Sequence, residues 1–316
     1  MLIRGVMKKT DQKIGRILRI ERSSLHDGDG LRTVVFLNGC PLRCLWCSTP
    51  ESQREVYQFG FWEGRCAGCG KCASVCPSRV IQMKDGRPVR DEKLCVYCHA
   101  CEKACPNGAW QIYGKDMAVE PLVKEIAKDE IFYFHSGGGV TFSGGEPLLQ
   151  SEFVAEVMKR CHEQGIHTAM ETSLYANWEA VERILAHLDL LFVDLKVMDG
   201  ERHKAAAGVD SALIHENLER IEASSYCPRI HVRIPVIPGI NNDDENLKQT
   251  VEFCDRLSKV SGIELLPYHR LGVETYRNLK KDYALKEVET PSAEEMEGYA
   301  SCMNGIAKRI RIYVGG

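Results

Sequence analysis

Two cysteine runs of identical spacing constrain this 316-residue chain more than any other feature of its sequence. Each run reads Cys-x-x-Cys-x-x-Cys-x-x-x-Cys-Pro, and the two runs occupy 66–77 and 95–106. This spacing is typical of chains that hold two 4Fe–4S clusters, where the last cysteine of each run ligates the cluster of the other run. We therefore expect two closed sites of four thiols each. The expected ligands are Cys66, Cys69, Cys72 and Cys105 for one cluster, and Cys95, Cys98, Cys101 and Cys76 for the other.

Zinc is the alternative occupant of these thiols, because structural zinc sites also use four cysteines. Zinc motifs rarely place four thiols so close together before a proline, and they rarely do so twice in one segment. A segment this small must also gain much of its folding free energy from metal binding. The sequence therefore favours two iron–sulfur clusters, in an inserted domain that we expect to span residues 59–113.

A third group of cysteines has a different spacing. Cys40, Cys44 and Cys47 follow the apolar run Val34–Leu37 as Cys-x-x-x-Cys-x-x-Cys. Three thiols fill three irons of a cubane cluster and leave the fourth iron open, and an open metal position can bind a ligand and do chemistry. We therefore expect this loop to be the catalytic centre, whereas the two closed sites should carry electrons.

The remaining cysteines and the compartment can be read together. Eleven of the fifteen cysteines belong to the three groups, and a reducing compartment makes clustered cysteines metal ligands rather than disulfides. The other four stand alone, and we expect them to be small buried hydrophobic residues. They are Cys161, Cys227, Cys254 and Cys302.

Charge and hydropathy exclude several classes of protein. The formal net charge is −3 and no long basic run occurs, so the sequence predicts no nucleic-acid partner. No run of about 18 apolar residues predicts a membrane-spanning helix. Residues 1–13 lack the apolar stretch of a signal peptide. We therefore expect a cytoplasmic protein that begins with a flexible tail at 1–13.

From residue 114 onward, strand-like and helix-like segments alternate. The predicted strands are 139–143, 167–171, 190–195, 230–234, 263–266 and 310–314, preceded by 14–20 and 32–37. The predicted helices are 152–165, 178–188, 211–223, 243–258 and 293–308. This alternation implies an α/β fold with a parallel sheet, in a partial or full barrel built from 14–58 and 114–316. Chemistry in such folds lies at the carboxyl ends of the strands, where the three-cysteine loop also lies.

Polar motifs follow these strands in a fixed order. They read Ser143-Gly144-Gly145-Glu146-Pro147, Glu171-Thr172-Ser173, Asp194-Leu195-Lys196, Arg233 before Ile234-Pro235-Val236-Ile237-Pro238-Gly239, and Leu266-Pro267-Tyr268-His269-Arg270. The stretch His26-Asp27-Gly28-Asp29-Gly30-Leu31-Arg32-Thr33 precedes the cysteine loop. Together, these motifs resemble the radical S-adenosylmethionine (SAM) enzymes. More narrowly, the chain resembles the activating enzymes of glycyl radical enzymes, such as pyruvate formate-lyase activating enzyme, in the subgroup with an inserted two-cluster ferredoxin domain.

The resemblance covers nearly the whole chain from about residue 14 and implies a fold and cofactors. The fold would be a partial (β/α)6 TIM-like barrel, left open so that a peptide fits beside SAM, with a bacterial-ferredoxin-like α+β insertion. The cofactors would be three 4Fe–4S clusters, SAM and a monovalent cation. The open iron of the Cys40, Cys44 and Cys47 cluster would bind the amino and carboxylate groups of SAM.

The resemblance also implies which residues bind SAM. They are Trp46, Cys47, Ser48, Gly144, Gly145, Glu146, Glu171, Thr172, Asp194, Leu195, Lys196, Arg233 and His269. The Gly144 stretch would receive the amino group, Arg233 would pair with the carboxylate, and His269 would contact the ribose or adenine. Glu171, Thr172 and Asp194 would hold the cation. An ordinary interior salt bridge is the alternative for Asp194 and Lys196, because buried charges need partners.

The implied activity is reductive cleavage of SAM to a 5′-deoxyadenosyl radical, which abstracts hydrogen from a backbone glycine of a partner glycyl radical enzyme. That partner would be a dehydratase, decarboxylase or lyase, whose glycine loop enters the barrel near the loop 27–32. A flavodoxin or ferredoxin would donate electrons, and the chain would be monomeric. Two alternatives are a radical SAM enzyme that acts directly on a small molecule, and an electron-transfer protein whose barrel is only a scaffold.

Overall fold

Nine strands form one sheet in the computed structural model, which describes residues 13–315. The strands are β1 (Ile14–Ser24), β2 (Arg32–Leu37), β3 (Gln58–Phe61), β4 (Ile81–Lys84), β5 (Arg87–Arg90), β6 (Trp110–Tyr113), β7 (Lys115–Ala118), β8 (Gly139–Gly144), β9 (His167–Thr172), β10 (Leu190–Asp194), β11 (Arg229–Val236), β12 (Val260–Pro267) and β13 (Arg311–Val314). The helices are α1 (Lys71–Ser74), α2 (Ala100–Ala104), α3 (Val119–Ala127), α4 (Glu130–Ser136), α5 (Ser151–His162), α6 (Trp178–Leu185), α7 (Gly200–Ala207), α8 (Ala212–Ala223), α9 (Asp244–Asp255), α10 (Val273–Asn278) and α11 (Ala293–Ile306).

The large sheet is an open barrel. Its strand order is β13-β12-β11-β10-β9-β8-β2-β1-β7. Neighbours from β2 to β13 run parallel, whereas β1 and β7 pair antiparallel at one edge. In the described part of the chain, the edge strands β7 and β13 do not pair with each other. The expected partial barrel is therefore confirmed, with β2 and β8 to β12 as its six-stranded unit and β13 as a short extension.

Helices between the parallel strands bury their apolar faces. The residues of α5 that pack into the core are each at most 3% exposed, and they are Phe153, Val154, Val157, Met158 and Cys161. Four helices start at a residue whose side chain accepts a backbone N–H of the first turn, which stabilises a helix by about 1 kcal/mol. These N-cap residues are Asn177, Asp199, Asp243 and Ser292. The caps fix where the chain leaves each strand-end loop, and those loops line the site.

The cysteine-rich segment lies between β3 and β6, which pair with each other antiparallel from Gln58 with Tyr113 to Phe61 with Trp110. Its other sheet is the hairpin of β4 and β5, and its helices α1 and α2 are one turn each. A small core joins the two halves. Its buried members are Cys72, Val80, Ile81, Cys101 and Trp110.

Several elements differ from the sequence prediction. Helix α3 was not predicted, although its buried residues Val119, Leu122, Val123 and Ile126 have helical spacing. Strand β7 and helices α4, α7 and α10 are also additional to the prediction. Two of the lone cysteines contradict the expectation of burial, because Cys227 lies in the loop before β11 and Cys302 on the outer face of α11, and both are exposed.

Two further expectations concern the first thirteen residues and membrane-spanning helices. The expected tail at 1–13 lies, apart from Lys13, outside the described residues. Across 13–315, every helix is too short or too polar to cross a membrane.

Candidate active site

The carboxyl ends of the parallel strands surround a cavity of about 420 Å³. All but one of the residues expected to bind the catalytic cluster or SAM line it. They are Cys40, Cys44, Trp46, Cys47, Ser48, Gly144, Gly145, Glu146, Glu171, Thr172, Asp194, Lys196, Arg233 and His269. The exception is Leu195, which is 2% exposed and does not line the cavity. Successive side chains alternate along an extended chain, so Leu195 points away while Asp194 and Lys196 point inward.

The three-cysteine loop is held by backbone hydrogen bonds to a neighbouring helix. The amides of Arg43 and Leu45 donate to the carbonyls of Ala207 and Ala206, at 2.7 and 3.0 Å, at the end of α7. Burial raises the pKa of the Cys44 thiol to about 12, and it also raises the pKa values of Cys40 and Cys47.

These half-buried thiols suit a metal centre once they have lost their protons. A thiol is a metal ligand only as a thiolate, so binding of a metal centre must release the protons that burial retains. Three soft sulfur donors around one cavity match the donor set of an iron–sulfur cluster.

The two glycines after β8 are required by packing. Gly144 has a φ of +114°, and a Cβ there would lie 2.3 Å from the backbone nitrogen of Leu37. A Cβ on Gly145 would lie 2.1 Å from the carbonyl oxygen of Gly39. The Glu146 amide donates to that same carbonyl at 2.7 Å. The glycines therefore let the end of β8 lie directly against the start of the cysteine loop. This packing role is additional to the expected contact of the Gly144 stretch with the SAM amino group.

Glu146 ties the ends of β8 and β9 together. Its carboxylate, in a residue 1% exposed, accepts the Thr172 hydroxyl at 2.6 Å and both the amide and the hydroxyl of Ser173, at 2.9 and 2.6 Å. Burial raises the pKa of Glu146, and these hydrogen bonds oppose that rise. Glu146 and Thr172 thus bind each other and fix the shape of the cavity wall.

Lys196 is the buried cation nearest to the cysteine loop. Its Nζ donates to Asp194 at 2.6 Å, and the residue is 7% exposed. Burial alone would lower the pKa of Lys196, but the Asp194 carboxylate, through its charge and its hydrogen bond, outweighs burial and raises the pKa. The ammonium therefore stays charged, and it has two further N–H groups to offer an anionic ligand.

Arg233 lies deeper in the barrel and is surrounded by acceptors. Its Nε donates to Glu264 at 2.6 Å, its Nη1 to Glu171, and its Nη2 to the carbonyl of His26 at 2.7 Å. Burial raises the pKa of Glu171 to about 7, although Arg233 opposes the shift. A SAM carboxylate would therefore have to displace one of these partners. Glu264 was missed in the sequence, although a single acid inside the apolar strand β12 could have marked it.

The loop between β1 and β2 forms the floor of the cavity. Both His26 and Asp27 line the cavity, and the carbonyl of Asp27 accepts the Thr141 hydroxyl at 2.7 Å. Arg32 is 0% exposed and donates to that same hydroxyl oxygen at 2.6 Å. The loop therefore reaches the barrel interior from the amino ends of the strands, which places Asp27 inside.

His269 lines the opposite part of the cavity, after β12. Burial lowers its pKa, so the imidazole is neutral near pH 7. Its Nδ1 accepts the Leu271 amide at 3.4 Å, which leaves Nε2 as the N–H donor. A neutral ring of this kind can stack on, or hydrogen-bond to, an uncharged part of a ligand.

The eight cysteines of the two runs line two small cavities, which we call site I and site II. Site I is lined by Cys66, Cys69, Cys72 and Cys105, and site II by Cys76, Cys95, Cys98 and Cys101. Each site thus gathers three thiols of one run and the last thiol of the other. Backbone amides donate to three of the sulfurs, in the pairs Gly68 to Cys66, Tyr97 to Cys95 and Ala109 to Cys105, at 3.2 to 3.4 Å.

The two runs differ at two left-handed backbone positions. Run 1 (66–77) has Gly68 and Gly70 at these positions, with φ of +68° and +71°. Run 2 (95–106) has Tyr97 and His99 there, with φ of +51° and +61°. Non-glycine residues rarely adopt this conformation. Tyr97 stacks on Tyr57 with ring centroids 5.3 Å apart. The turn of run 2 that carries ligands of site II therefore packs against Tyr57, in the barrel part of the chain.

Models of known protein families match both the barrel and the cysteine-rich segment of this chain. A model of the radical SAM superfamily matches residues 92–254, and a model of the 4Fe-4S dicluster domain matches residues 65–109. The chain is 43% identical over 281 residues to the (2S)-3-sulfopropanediol dehydratase activating enzyme of Klebsiella oxytoca, which covers 87% of this chain and 88% of that one.

Two further relatives come from Clostridioides difficile. The 4-hydroxyphenylacetate decarboxylase activating enzyme of strain 630 is 40% identical over 318 residues, covering 98% of each chain. The trans-4-hydroxy-L-proline dehydratase activating enzyme is 40% identical over 284 residues, covering 89% of this chain and 93% of that one. The chain therefore belongs to the radical SAM superfamily, in the family of activating enzymes of glycyl radical enzymes.

Proposed function

We propose that this protein cleaves SAM reductively and uses the resulting 5′-deoxyadenosyl radical to abstract hydrogen from a backbone glycine of a partner glycyl radical enzyme. The observation that carries the proposal is the single cavity that contains three half-buried thiols, the Lys196 ammonium and the floor loop with Asp27. An iron–sulfur cluster bound by Cys40, Cys44 and Cys47 supplies the electron and an open iron for SAM. The residues of this chain bind, orient and shield the reactants.

The roles of the cavity residues follow from their charge and free donors. Lys196 faces the cysteine loop and, in place of Arg233, whose donors are engaged by Glu264, Glu171 and His26, binds the SAM carboxylate. The Gly144–Glu146 stretch receives the amino group, with Ser48 and Trp46 beside it, and neutral His269 contacts the ribose or adenine. Backbone atoms of Leu195 are its only means of contact with SAM, because its side chain points away.

A monovalent cation is the least supported of the expected cofactors. Thr172 donates to Glu146, Glu171 binds Arg233 and Asp194 accepts from Lys196, so all three of its expected ligands are already engaged. A potassium or sodium ion near Asp194 would compete with Arg233 for Glu171. The dependence of SAM affinity on potassium concentration measures this competition.

The partner class follows from the family. The named relatives activate two dehydratases and a decarboxylase, and we propose a dehydratase, decarboxylase or lyase as the partner here. Its glycine loop would pass through the open side of the barrel to the loop 27–32. A flavodoxin or ferredoxin would deliver electrons to a monomeric, cytoplasmic enzyme.

We also propose that the chain divides into a barrel of residues 14–58 and 114–316 and a ferredoxin-like insertion of 59–113. The pairing of β3 with β6 closes the insertion at its base. Sites I and II would each hold a 4Fe–4S cluster, which gives three clusters with the catalytic one. The gathering of four thiols at each site and the amide donors to sulfur support this assignment.

The decisive experiment changes the three cysteines of the catalytic loop to alanine. After anaerobic reconstitution, the unchanged enzyme should hold about twelve irons per chain, and the triple variant about eight. The variant should lose 5′-deoxyadenosine formation, because no open iron remains to bind SAM. Iron analysis and chromatography of the SAM products measure both effects.

Two comparisons make that experiment specific. Cys302→Ala, which changes an exposed cysteine of α11, should leave both quantities unchanged. SAM cleavage by the triple variant would refute the mechanism and favour a barrel that is only a scaffold. A glycyl radical signal in electron paramagnetic resonance (EPR), formed only with the partner enzyme, separates this function from chemistry on a small molecule.

A further inference from the structure

Arg90 is a buried cation beside site II that the proposed activity leaves without a role. It ends strand β5 and lines the cavity of Cys76, Cys95, Cys98 and Cys101. Its side chain is 6% exposed. Arginine is among the residues least often buried without a partner, so its placement at this site calls for an explanation.

The guanidinium is held rigidly from two sides. Its central carbon lies 3.4 Å from the centroid of the Phe59 ring, a cation–π stack. Its Nη2 donates to Glu92 at 2.9 Å, and Glu92 is 68% exposed, so water screens that pair. The group is therefore fixed in position while its charge is only partly neutralised.

The other terminal nitrogen of Arg90 has no acceptor. Among residues 13–315, no oxygen, nitrogen or sulfur accepts from Nη1, although this atom is buried. A buried N–H without an acceptor destabilises the fold, and it does so more strongly when the group is charged. Because Arg90 lines site II, an acceptor bound within that site would remove this cost. The sulfurs of an iron–sulfur cluster are acceptors of the required kind.

Within residues 13–315, site I has no comparable group. The hairpin of β4 and β5 spans both sites, and its pair Ile81 with Arg90 lies at site II, whereas its pair Met83 with Pro88 lies at site I. The cation that lines site I is Lys71, which is exposed to solvent. Water screens an exposed charge far more than a buried one. The two sites therefore present the same thiols in unequal electrostatic surroundings.

We propose that Nη1 of Arg90 donates a hydrogen bond to the cluster of site II and raises its reduction potential above that of site I. The proposal rests on the proposed function, because it requires a cluster at each site. Reduction adds negative charge to a cluster, so a fixed cation and an N–H donor stabilise the reduced form more than the oxidised form. An electron shared by the two clusters would then reside at site II, on the side of Tyr97 and the barrel.

The test is an EPR-monitored redox titration of the full chain in which Cys40, Cys44 and Cys47 are alanine, so that only sites I and II contribute. Arg90→Met should lower one of the two potentials by about 59 mV, which is roughly a tenfold change in a one-electron equilibrium constant. Arg90→Lys, which keeps the charge, should show a smaller shift. Arg87→Met is the matched control, because Arg87 lies on the same strand, is exposed and does not line site II.

The shifted potential must also be assigned to a site. Cys69→Ser changes a ligand of site I only, so it should shift the potential that Arg90→Met leaves unchanged. A structural role for Arg90 would lower the thermal midpoint without moving either potential, and that result overturns the proposal. A shift of the potential that Cys69→Ser also moves would overturn it as well.

Two further results keep the outcome clear. Should Arg90→Met lose about four irons, Arg90→Gln replaces it, since glutamine keeps an N–H donor and removes the charge. A lowering of one potential in Arg90→Gln by less than the value expected for Arg90→Met supports the proposal, and unchanged potentials overturn it. A background protein with fewer than about eight irons would contradict the cluster assignments of the proposed function, and this proposal with them.

Discussion

Glu171 is the residue at which burial and charge oppose each other most directly. It accepts the Ser143 hydroxyl at 2.5 Å and binds Arg233, yet burial and the nearby Asp27 carboxylate keep its pKa raised, at about 7. The ordinary pKa of this group is 4.5. Folding therefore favours the protonated form, and the contribution to stability is present below pH 4.5 and is lost as the pH rises through 7.

This sign predicts how Glu171→Gln behaves. Glutamine cannot ionise, so the thermal midpoint of the unchanged protein minus that of Glu171→Gln should fall as the pH rises from 5 to 8. The change should not exceed about 1.4 kcal/mol per pH unit in the corresponding free energy of unfolding. Anaerobic calorimetry at four pH values measures it. Glu179→Gln, at an exposed acid of α6, is measured alongside as the surface control, and a flat profile for Glu171→Gln would contradict the assigned pKa.

Sequence reasoning at the scale of residues succeeded where chemistry requires one residue type. The cysteine spacing alone predicted both groups of four thiols that line sites I and II. It could not find Arg90, because an arginine at the end of a short strand is ordinary until its burial is known. It also did not foresee that Arg233 would be engaged by both Glu171 and Glu264, since those partners lie 62 and 31 residues away along the chain.

The element that most shapes the site is the loop between β1 and β2. Arg32, fully buried at its end, donates to Thr141 and to the Val140 carbonyl at 2.7 Å. The loop carries Asp27 into the cavity, where the proposed glycine peptide would bind. The three-cysteine loop, by contrast, is anchored to α7, on the other side of the cavity.

Arg32→Met should therefore impair the two half-reactions unequally. Loss of the buried hydrogen bonds should destabilise the protein by about 3 kcal/mol and loosen the loop. Glycyl radical formation should fall at least tenfold more than SAM cleavage without the partner, because SAM binds at the opposite wall. EPR of the partner and chromatography of 5′-deoxyadenosine measure the two rates.

The matched control for that variant lies on the same loop contact. Arg229→Met removes an exposed ion pair with Asp29, which typically contributes less than about 1 kcal/mol. It should leave the ratio of the two rates unchanged. An equal loss of both rates in Arg32→Met would show that the loop supports SAM cleavage itself.

At the level of elements, hydrophobic period predicted the parallel strands to within a few residues. The helices α5, α6 and α9 end three residues earlier than predicted, because apolar spacing continues into the turns that follow them. The prediction missed β7, whose residues Lys115–Ala118 alternate too weakly to stand out. Its place in the sheet depends on pairing with β1, which no local pattern reveals.

The whole molecule is a barrel with an insertion that begins and ends at one pair of neighbouring strands. Phe61 at the end of β3 pairs with Trp110 at the start of β6, so the two ends of the insertion lie one strand spacing apart. Replacing 62–109 by Asn-Gly, with Trp110→Thr to limit exposed apolar surface, should convert β3 and β6 into a hairpin. The shortened chain should fold, hold about four irons and cleave SAM with dithionite as reductant.

A frame-shifted deletion controls for this design. Removing one residue more, 62–110, slips the register by one and turns every side chain of β6 to the wrong face. That chain should be clearly less stable in thermal unfolding. Failure of both chains to bind iron would contradict the proposed division at 59–113.

The two cysteine runs repeat the same spacing but differ in a way that affects the direction of electron transfer. Run 1 has Gly68 and Gly70 at its two left-handed positions, so no side chain extends from them. Run 2 has Tyr97 and His99 at the same positions, and both of these rings pack against Tyr57. An electron carrier made of two equivalent halves would have no preferred direction of electron transfer. Here the two halves are not equivalent, because run 2 stacks on Tyr57, so the proposed electron path through the insertion would have a preferred direction.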